Sequence, residues 1–163
     1  MPIGNFGGFV MASVVAVTRP ESLHAVENLL GGHGVLRAGR HSTVDWINVI
    51  RRGLPAAAIE ALTKAVKVSN VELARALGIP ERTLARRKRE GTLSSEESAK
   101  LLRLARAVGR ANEVFEDTEA ALHWLKSPNS ALSGATPLSL LDTEIGAESV
   151  MDTLGRIEHG VYA

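Results

Sequence analysis

The chain has 163 residues, of which 45% are hydrophobic, 4% are aromatic and none is cysteine. This length is enough for one or two small domains and too short for a large enzyme. The lack of cysteine excludes a disulfide framework, a thiolate zinc site and cysteine-based catalysis, and it suits a reducing compartment, so we expect a cytoplasmic protein. The abundance of Ala, Leu and Val favours packed helices over a β-sandwich.

Charge is segregated along the chain, although the formal net charge is only +1. Residues 64–103 contain ten Lys and Arg against five Asp and Glu, whereas residues 104–163 contain four against nine. A basic centre is typical of a surface that binds phosphates, and an acidic end disfavours contact with DNA. The alternative is chance patterning on solvated helix faces.

The predicted elements begin with an apolar stretch at residues 6–17. It is too short to span a bilayer and no Lys or Arg precedes it, so we expect neither a signal peptide nor a membrane anchor. An amphipathic segment follows at residues 20–30, and glycines predict a loop at residues 31–34. Ser42 is placed to cap the next helix, which stops at Gly53.

A helix-turn-helix is predicted after a further helix at residues 56–66. Two short helices, at residues 70–77 and 81–90, are joined by Gly78, which supplies the positive φ that the turn needs. Ala74 is the small residue required where the two helices cross. The second of these helices is the one that a DNA major groove would receive.

Five cations lie within eight residues of that second helix, with no acidic residue among them. Arg82 and Thr83 lie near its N-terminal end, where base edges are usually met, and Arg86 follows Arg82 by one turn on the same face. We expect the remaining cations to hold backbone phosphates, namely Arg87, Lys88 and Arg89. The alternative is a helical hairpin whose arginines are merely solvated.

Three more helices are predicted. Ser94 and the acidic residues after it begin a long helix that ends at about residue 114, and a shorter helix covers residues 118–126. After a turn-rich segment at residues 133–143, a last helix covers residues 147–159. The histidines show no metal-ligand spacing and no phosphate-binding loop is convincing, so we expect neither a metal nor a cofactor.

The C-terminal tail is unusual, because chain ends normally fray into small polar residues. This end carries Arg156, Glu158 and His159, followed by Gly160 and the only tyrosine, Tyr162. Such a trio without a pocket makes a poor active site, so we do not expect an enzyme. One interpretation is a docked helix that Gly160 stops. The other is a tail that binds a partner, with Tyr162 as a rigid anchor and Arg156 as a forked donor.

Three blocks of sequence occur in an informative order. Their segments are 50–55 (IRRGLP) leading to 84–88 (LARRK), then 120–125 (AALHWL) with 128–138 (PNSALSGATPL), and finally 140–147 (LLDTEIGA) with 155–160 (GRIEHG). Together they resemble the Xre-type antitoxins of RES–Xre toxin–antitoxin systems, also called the Xre/MbcA/ParS antitoxin family. The likeness covers residues 46–163. Its first block is shared by many repressors, whereas the second and third are specific.

This resemblance implies an antitoxin that blocks the active site of a RES-domain toxin, an NAD-degrading enzyme, with its C-terminal tail. The implied toxin contacts are Arg156, Glu158, His159, Gly160, Val161, Tyr162 and Ala163. The resemblance also implies a homodimer within a larger toxin–antitoxin complex. This complex would bind operator DNA and repress its own operon. The expected all-α fold has an N-terminal arm or helix of unknown role at residues 1–41, an Xre/Cro-like helix-turn-helix domain at 42–114, and a small, mainly helical toxin-binding and dimerisation domain at 115–163.

Two other functions remain open. A stand-alone helix-turn-helix regulator, whose C-terminal half senses a ligand or partner, predicts a sizeable pocket in that half. An antitoxin instead predicts an exposed apolar or acidic surface there. A purely structural interaction module predicts no salt-dependent DNA binding.

Overall fold

The computed structural model describes residues 20–37 and 42–161. Residues 1–19 and 38–41 of the predicted N-terminal arm or helix, and Tyr162 and Ala163, lie outside it. The described part contains nine α-helices, two 3-10 helices and no β-strand, which confirms the all-α class. None of its helices has the length and apolar character needed to cross a membrane. The α-helices are α1 (Pro20–Leu29), α2 (Gly32–Leu36), α3 (Thr43–Arg52), α4 (Ala57–Val66), α5 (Asn70–Leu77), α6 (Glu81–Glu90), α7 (Ser95–Phe115), α8 (Thr118–Lys126) and α9 (Glu144–Glu158), and the 3-10 helices are Ser130–Leu132 and Pro137–Leu140.

The central helix of the core is α7. It packs against α1 and α3 on the N-terminal side and against α8 and α9 on the C-terminal side. Its buried residues include Leu101, Leu104, Ala105 and Val108, which recur at the spacing that places side chains on one face of a helix. Helices from both halves of the chain therefore share one hydrophobic core.

Three of the described helices begin with a capping box, in which a serine hydroxyl and an acidic side chain each accept a hydrogen bond from the other residue's backbone N–H. These bonds satisfy N–H groups that the first turn of a helix leaves without a partner. They explain why the helices start where they do. The pairs are Ser42 with Asp45 before α3, Ser69 with Glu72 before α5, and Ser94 with Glu97 before α7.

The loop that ends α3 runs very close to the loop that follows α6. A Cβ atom placed at Gly53, whose φ is +95°, would lie 2.2 Å from the carbonyl oxygen of Leu93. The N–H of Leu93 donates to the carbonyl of Leu54 at 3.0 Å, and the N–H of Leu54 donates to Ser98 Oγ at 2.8 Å. Glycine at position 53 permits this approach, which holds the end of α3 against the loop between α6 and α7 and the first turn of α7.

The structure differs from the sequence-based prediction in two places. Residues 31–34, predicted as a loop, include the start of α2, which Gly31 precedes in the left-handed conformation at φ +100°. The last helix begins at Glu144 rather than at residue 147. The physical reason is a cap that the prediction missed, since Thr143 Oγ1 accepts a hydrogen bond from the N–H of Gly146 at 3.1 Å.

Candidate nucleic-acid interface and partner-binding end

The helix-turn-helix consists of α5, the turn at Gly78 and α6, at the bounds that the sequence predicts. Gly78 has φ +62°, and its N–H donates to the carbonyls of Ala74 and Arg75, which ends α5. Ala74 is buried, as its place at the crossing requires. Leu84 is 1% exposed and holds α6 on the core, so the opposite face of α6 lies in solvent.

Three residues, Arg82, Arg86 and Arg89, form an exposed face of α6, here called the arginine stripe. Their spacing of four and three residues places them on one side of the helix. Arg86 lies 3.7 Å from the carboxylate of Glu90, but both side chains are about half exposed and such a pair is weak. Thr83 is half-buried. The stripe therefore presents cations outward without strong partners among the described residues.

Arg87 and Lys88, predicted to hold phosphates, lie against carboxylates of the chain itself. Nε of Arg87 donates to the two carboxylate oxygens of Glu97 at 3.1 and 2.8 Å. Nζ of Lys88 lies 2.7 Å from a carboxylate oxygen of Glu60 and donates to Asn70 Oδ1 at 2.7 Å. These bonds brace α6 against α7, α4 and α5. The phosphate role stays a prediction, and the bracing role is one that sequence reasoning missed.

The ion pair between Arg87 and Glu97 perturbs both groups. Burial alone would raise the pKa of Glu97, but hydrogen bonds from the Ser94 backbone and from Arg87 outweigh burial and hold that pKa below its ordinary value. The hydrogen bond to Glu97 raises the pKa of Arg87. Glu97 is therefore ionised at neutral pH, and a charged pair joins α6 to the first turn of α7.

The helix-turn-helix also contacts the C-terminal half directly. A Cβ atom placed at Gly78 would lie 3.3 Å from the Cβ of Asp142, and Lys100 Nζ donates to the carbonyl of Gly78 at 3.4 Å. Arg103 lies 3.1 Å from the carboxylate of Glu144 and donates to the carbonyl of Asp142 at 3.5 Å. Sequence reasoning singled out neither Lys100 nor Arg103, because their partners are distant along the chain.

The C-terminal end of α9 carries the residues predicted to bind a partner. The N–H of Gly160 donates to the carbonyl of Ile157 at 3.0 Å, and the N–H of Val161 donates to that of Arg156 at 2.8 Å. With Gly160 at φ +67°, this is a Schellman motif, which stops the helix and turns the chain. The described members of the predicted set are all exposed, namely Arg156, Glu158, His159, Gly160 and Val161.

A shallow depression of about 430 Å³ lies on the outer side of α5 and the turn, where its lining includes Val71, Arg75, Ile79 and Pro80. It belongs to the helix-turn-helix and not to the C-terminal half, where the ligand-sensing alternative predicts a pocket. Among the described residues, no group of three or more His, Cys, Asp or Glu side chains is arranged to hold a metal ion.

Two family models match the chain. Residues 45–106 match the antitoxin Xre-like helix-turn-helix domain, and residues 110–160 match the antitoxin Xre/MbcA/ParS C-terminal toxin-binding domain. The first match contains the arginine stripe, and the second contains α8 and α9. The border between the two matches falls inside α7.

Curated relatives agree with these matches. "Antitoxin Xre" of Yersinia enterocolitica serotype O:8 / biotype 1B is 35% identical over 119 residues, which cover 72% of this chain and 80% of the relative. "Antitoxin Xre" of Photorhabdus laumondii subsp. laumondii is 34% identical over 117 residues, covering 71% and 79%. "Prs ADP-ribosylating antitoxin" of Sphingobium sp. is 31% identical over 134 residues, covering 76% and 84%. The chain therefore belongs to the Xre antitoxin family, with a helix-turn-helix domain followed by a toxin-binding domain.

Proposed function

We propose that this antitoxin neutralises a RES-domain toxin that degrades NAD, by placing its C-terminal tail in the toxin's active site, and that it represses its own operon as a homodimer. The observation that carries the proposal is the exposed end of α9 within the matched toxin-binding domain. Repression is supported by a second exposed surface, the arginine stripe, within the matched helix-turn-helix.

In the DNA complex, we assign α6 to the major groove. Arg82 and Thr83 at its N-terminal end meet base edges, and Arg86 and Arg89 meet phosphates. Arg87 and Lys88 contribute less, because each has to leave a carboxylate partner before it reaches a phosphate. Two protomers are needed because one short helix gives little affinity and a second half-site multiplies it.

In the toxin complex, we assign contacts to the tail residues after Ile157, and to Arg156 on the exposed face of α9. A guanidinium offers forked donors and an aromatic ring offers a large rigid surface, which are the side chains that dominate protein interfaces. The tail then excludes NAD from the toxin cleft by occupying it. The residues of this set are Arg156, Glu158, His159, Gly160, Val161, Tyr162 and Ala163.

The test is co-expression with a RES-domain toxin, which we expect to be encoded beside this gene, with cellular NAD and growth as readouts. Deletion of residues 160–163 is expected to abolish protection and to leave operator affinity unchanged. The reciprocal control is Arg82→Ala combined with Arg86→Ala, which is expected to lose operator binding and still protect cells. Full protection by the truncated chain would refute the tail mechanism.

The name of the Sphingobium relative favours a second candidate partner, a toxin that ADP-ribosylates Prs. Incubation of the purified toxin with adenylate-labelled NAD and cell extract separates the two candidates. Label released only into small molecules supports NAD degradation. Label transferred to a protein band supports ADP-ribosylation and replaces the assignment of NAD degradation.

A further inference from the structure

Two separate features fix the described end of the chain, from Glu158 to Val161. The first is the Schellman motif, in which Gly160 adopts φ +67° and the N–H of Val161 is bonded back to Arg156. A Cβ atom placed at Gly160 meets no described atom within 4 Å, so the described residues leave room for a side chain at this position. Its role in the described part of the chain is conformational, because this φ is rarely adopted by residues with side chains.

The second feature is Arg110, in the C-terminal third of α7, whose side chain is only 16% exposed. One Nη donates to Glu158 Oε1 at 3.1 Å, and the other Nη bonds Oε2 of the same carboxylate. The first Nη also lies 3.3 Å from Glu113. A guanidinium that holds a carboxylate through both nitrogens fixes its orientation as well as its distance. The last residue of α9 is thereby tied to the central helix of the core.

We propose that Arg110 is a positioning residue for toxin binding, which orients the end of α9 by holding Glu158. Gly160 then sets the direction in which the chain continues, through its left-handed backbone conformation. The proposal rests on the proposed tail mechanism and deepens it. It gives new roles to two residues that were predicted to contact the toxin. Glu158 binds Arg110 of its own chain, and Gly160 contributes its backbone conformation rather than a contact. A tail held in its bound direction loses less conformational freedom on binding, which increases affinity without new contacts.

A charge exchange tests the role of Arg110, with the same RES-domain toxin, in purified form, as the probe. Arg110→Glu alone and Glu158→Arg alone are each expected to weaken toxin binding by about tenfold or more, and the double variant to recover most of that loss. If Glu158 instead contacts the toxin, Glu158→Arg stays weak in the presence of Arg110→Glu. That result would overturn the proposal, as would wild-type affinity in both single variants.

Two substitutions of Gly160 test the conformational role. Asn tolerates the left-handed conformation better than Ala, although its side chain is larger. We expect Gly160→Asn to bind the toxin more tightly than Gly160→Ala. The opposite order shows that the toxin needs empty space at this position, and it contradicts the proposed role of φ.

Operator affinity and the melting temperature are measured for every variant. Operator affinity is expected to match that of the unmodified chain within error. Arg110→Glu is expected to lower the melting temperature, because its carboxylate would face Glu113 and Glu158 at a mostly buried position. The deletion of residues 160–163 distinguishes failure of the tail mechanism from failure of the positioning role of Arg110. Protection that survives the deletion refutes the tail mechanism itself. Protection that the deletion abolishes, together with a charge exchange that fails to restore binding, refutes only the positioning role of Arg110.

Discussion

Replacement of Arg89 by alanine tests which cations of α6 meet the DNA backbone. Arg89 is exposed, whereas the side chain of Lys88 is only 22% exposed and is bonded to Glu60 and Asn70. Each lost phosphate contact reduces the slope of log affinity against log salt concentration by about 0.9. The proposed homodimer would lose two such contacts, so we expect Arg89→Ala to flatten the slope by about 1.8.

When salt rises from about 50 mM to about 200 mM, the unmodified chain is therefore expected to lose roughly 12 times more operator affinity than Arg89→Ala does. The matched control is Lys88→Ala, which removes the neighbouring cation from the same helix. Its effect on the slope is expected to stay below about half that of Arg89→Ala, because Lys88 already has a carboxylate partner. Fluorescence anisotropy of a labelled operator at several salt concentrations measures both slopes. If both variants flatten the slope equally, Lys88 contacts DNA phosphates as much as Arg89 does, and the distinction between the two residues is wrong.

Four further predictions concern folding, and thermal or chemical unfolding measures each of them. Gly146→Ala is expected to destabilise the protein by about 3 kcal/mol or more, because its Cβ would lie 1.9 Å from the carbonyl oxygen of Leu140. Leu104→Ala, at a fully buried position of α7, is expected to cost about 2–5 kcal/mol. Ser94→Ala removes a helix cap and is expected to cost about 1 kcal/mol, and an unchanged melting temperature contradicts that cap's contribution. Because the folded state lowers the pKa of Glu97, its stabilising contribution is present above the unfolded pKa of about 4.3 and is lost as pH falls through the lower, folded value. Glu97→Gln is therefore expected to weaken the acid dependence of stability.

The local part of the fold is predictable from sequence, and the helix-turn-helix shows why. The bounds of α5 and α6 depend on signals within a few residues, such as Gly78 with its positive φ and the capping serines before helices. The sequence also contains the signal for the start of α9, since Thr143 is a good cap residue. The turn-forming residues before it nevertheless favour a loop, so the predicted start at residue 147 is later than the observed start at Glu144. Residues 31–34 contain three glycines, which favour a loop, but tertiary packing holds a short helix there.

The direction in which each charged side chain points is not predictable in the same way. In the run from Arg86 to Arg89, helical spacing places Arg87 and Lys88 on the side of the buried Leu84. It does not show what they contact there, because their carboxylate partners are on other helices. Arg110 and Glu158 are 48 residues apart, and only the packing of α7 against α9 brings them together. Candidate contact residues could therefore be named from sequence, whereas the residues that orient them could not.

Both candidate binding surfaces rest on an ion pair to α7. In the helix-turn-helix, Glu97 of α7 holds Arg87, and in the C-terminal half, Arg110 of α7 holds Glu158. A surface held in this way is ordered before it meets its partner, which lowers the conformational entropy lost on binding. Since one helix supplies both anchoring groups, a change that shifts α7 is expected to weaken DNA binding and toxin binding together. Substitutions at exposed positions of α6 or α9 separate the two functions, because each removes a contact and leaves the common scaffold in place.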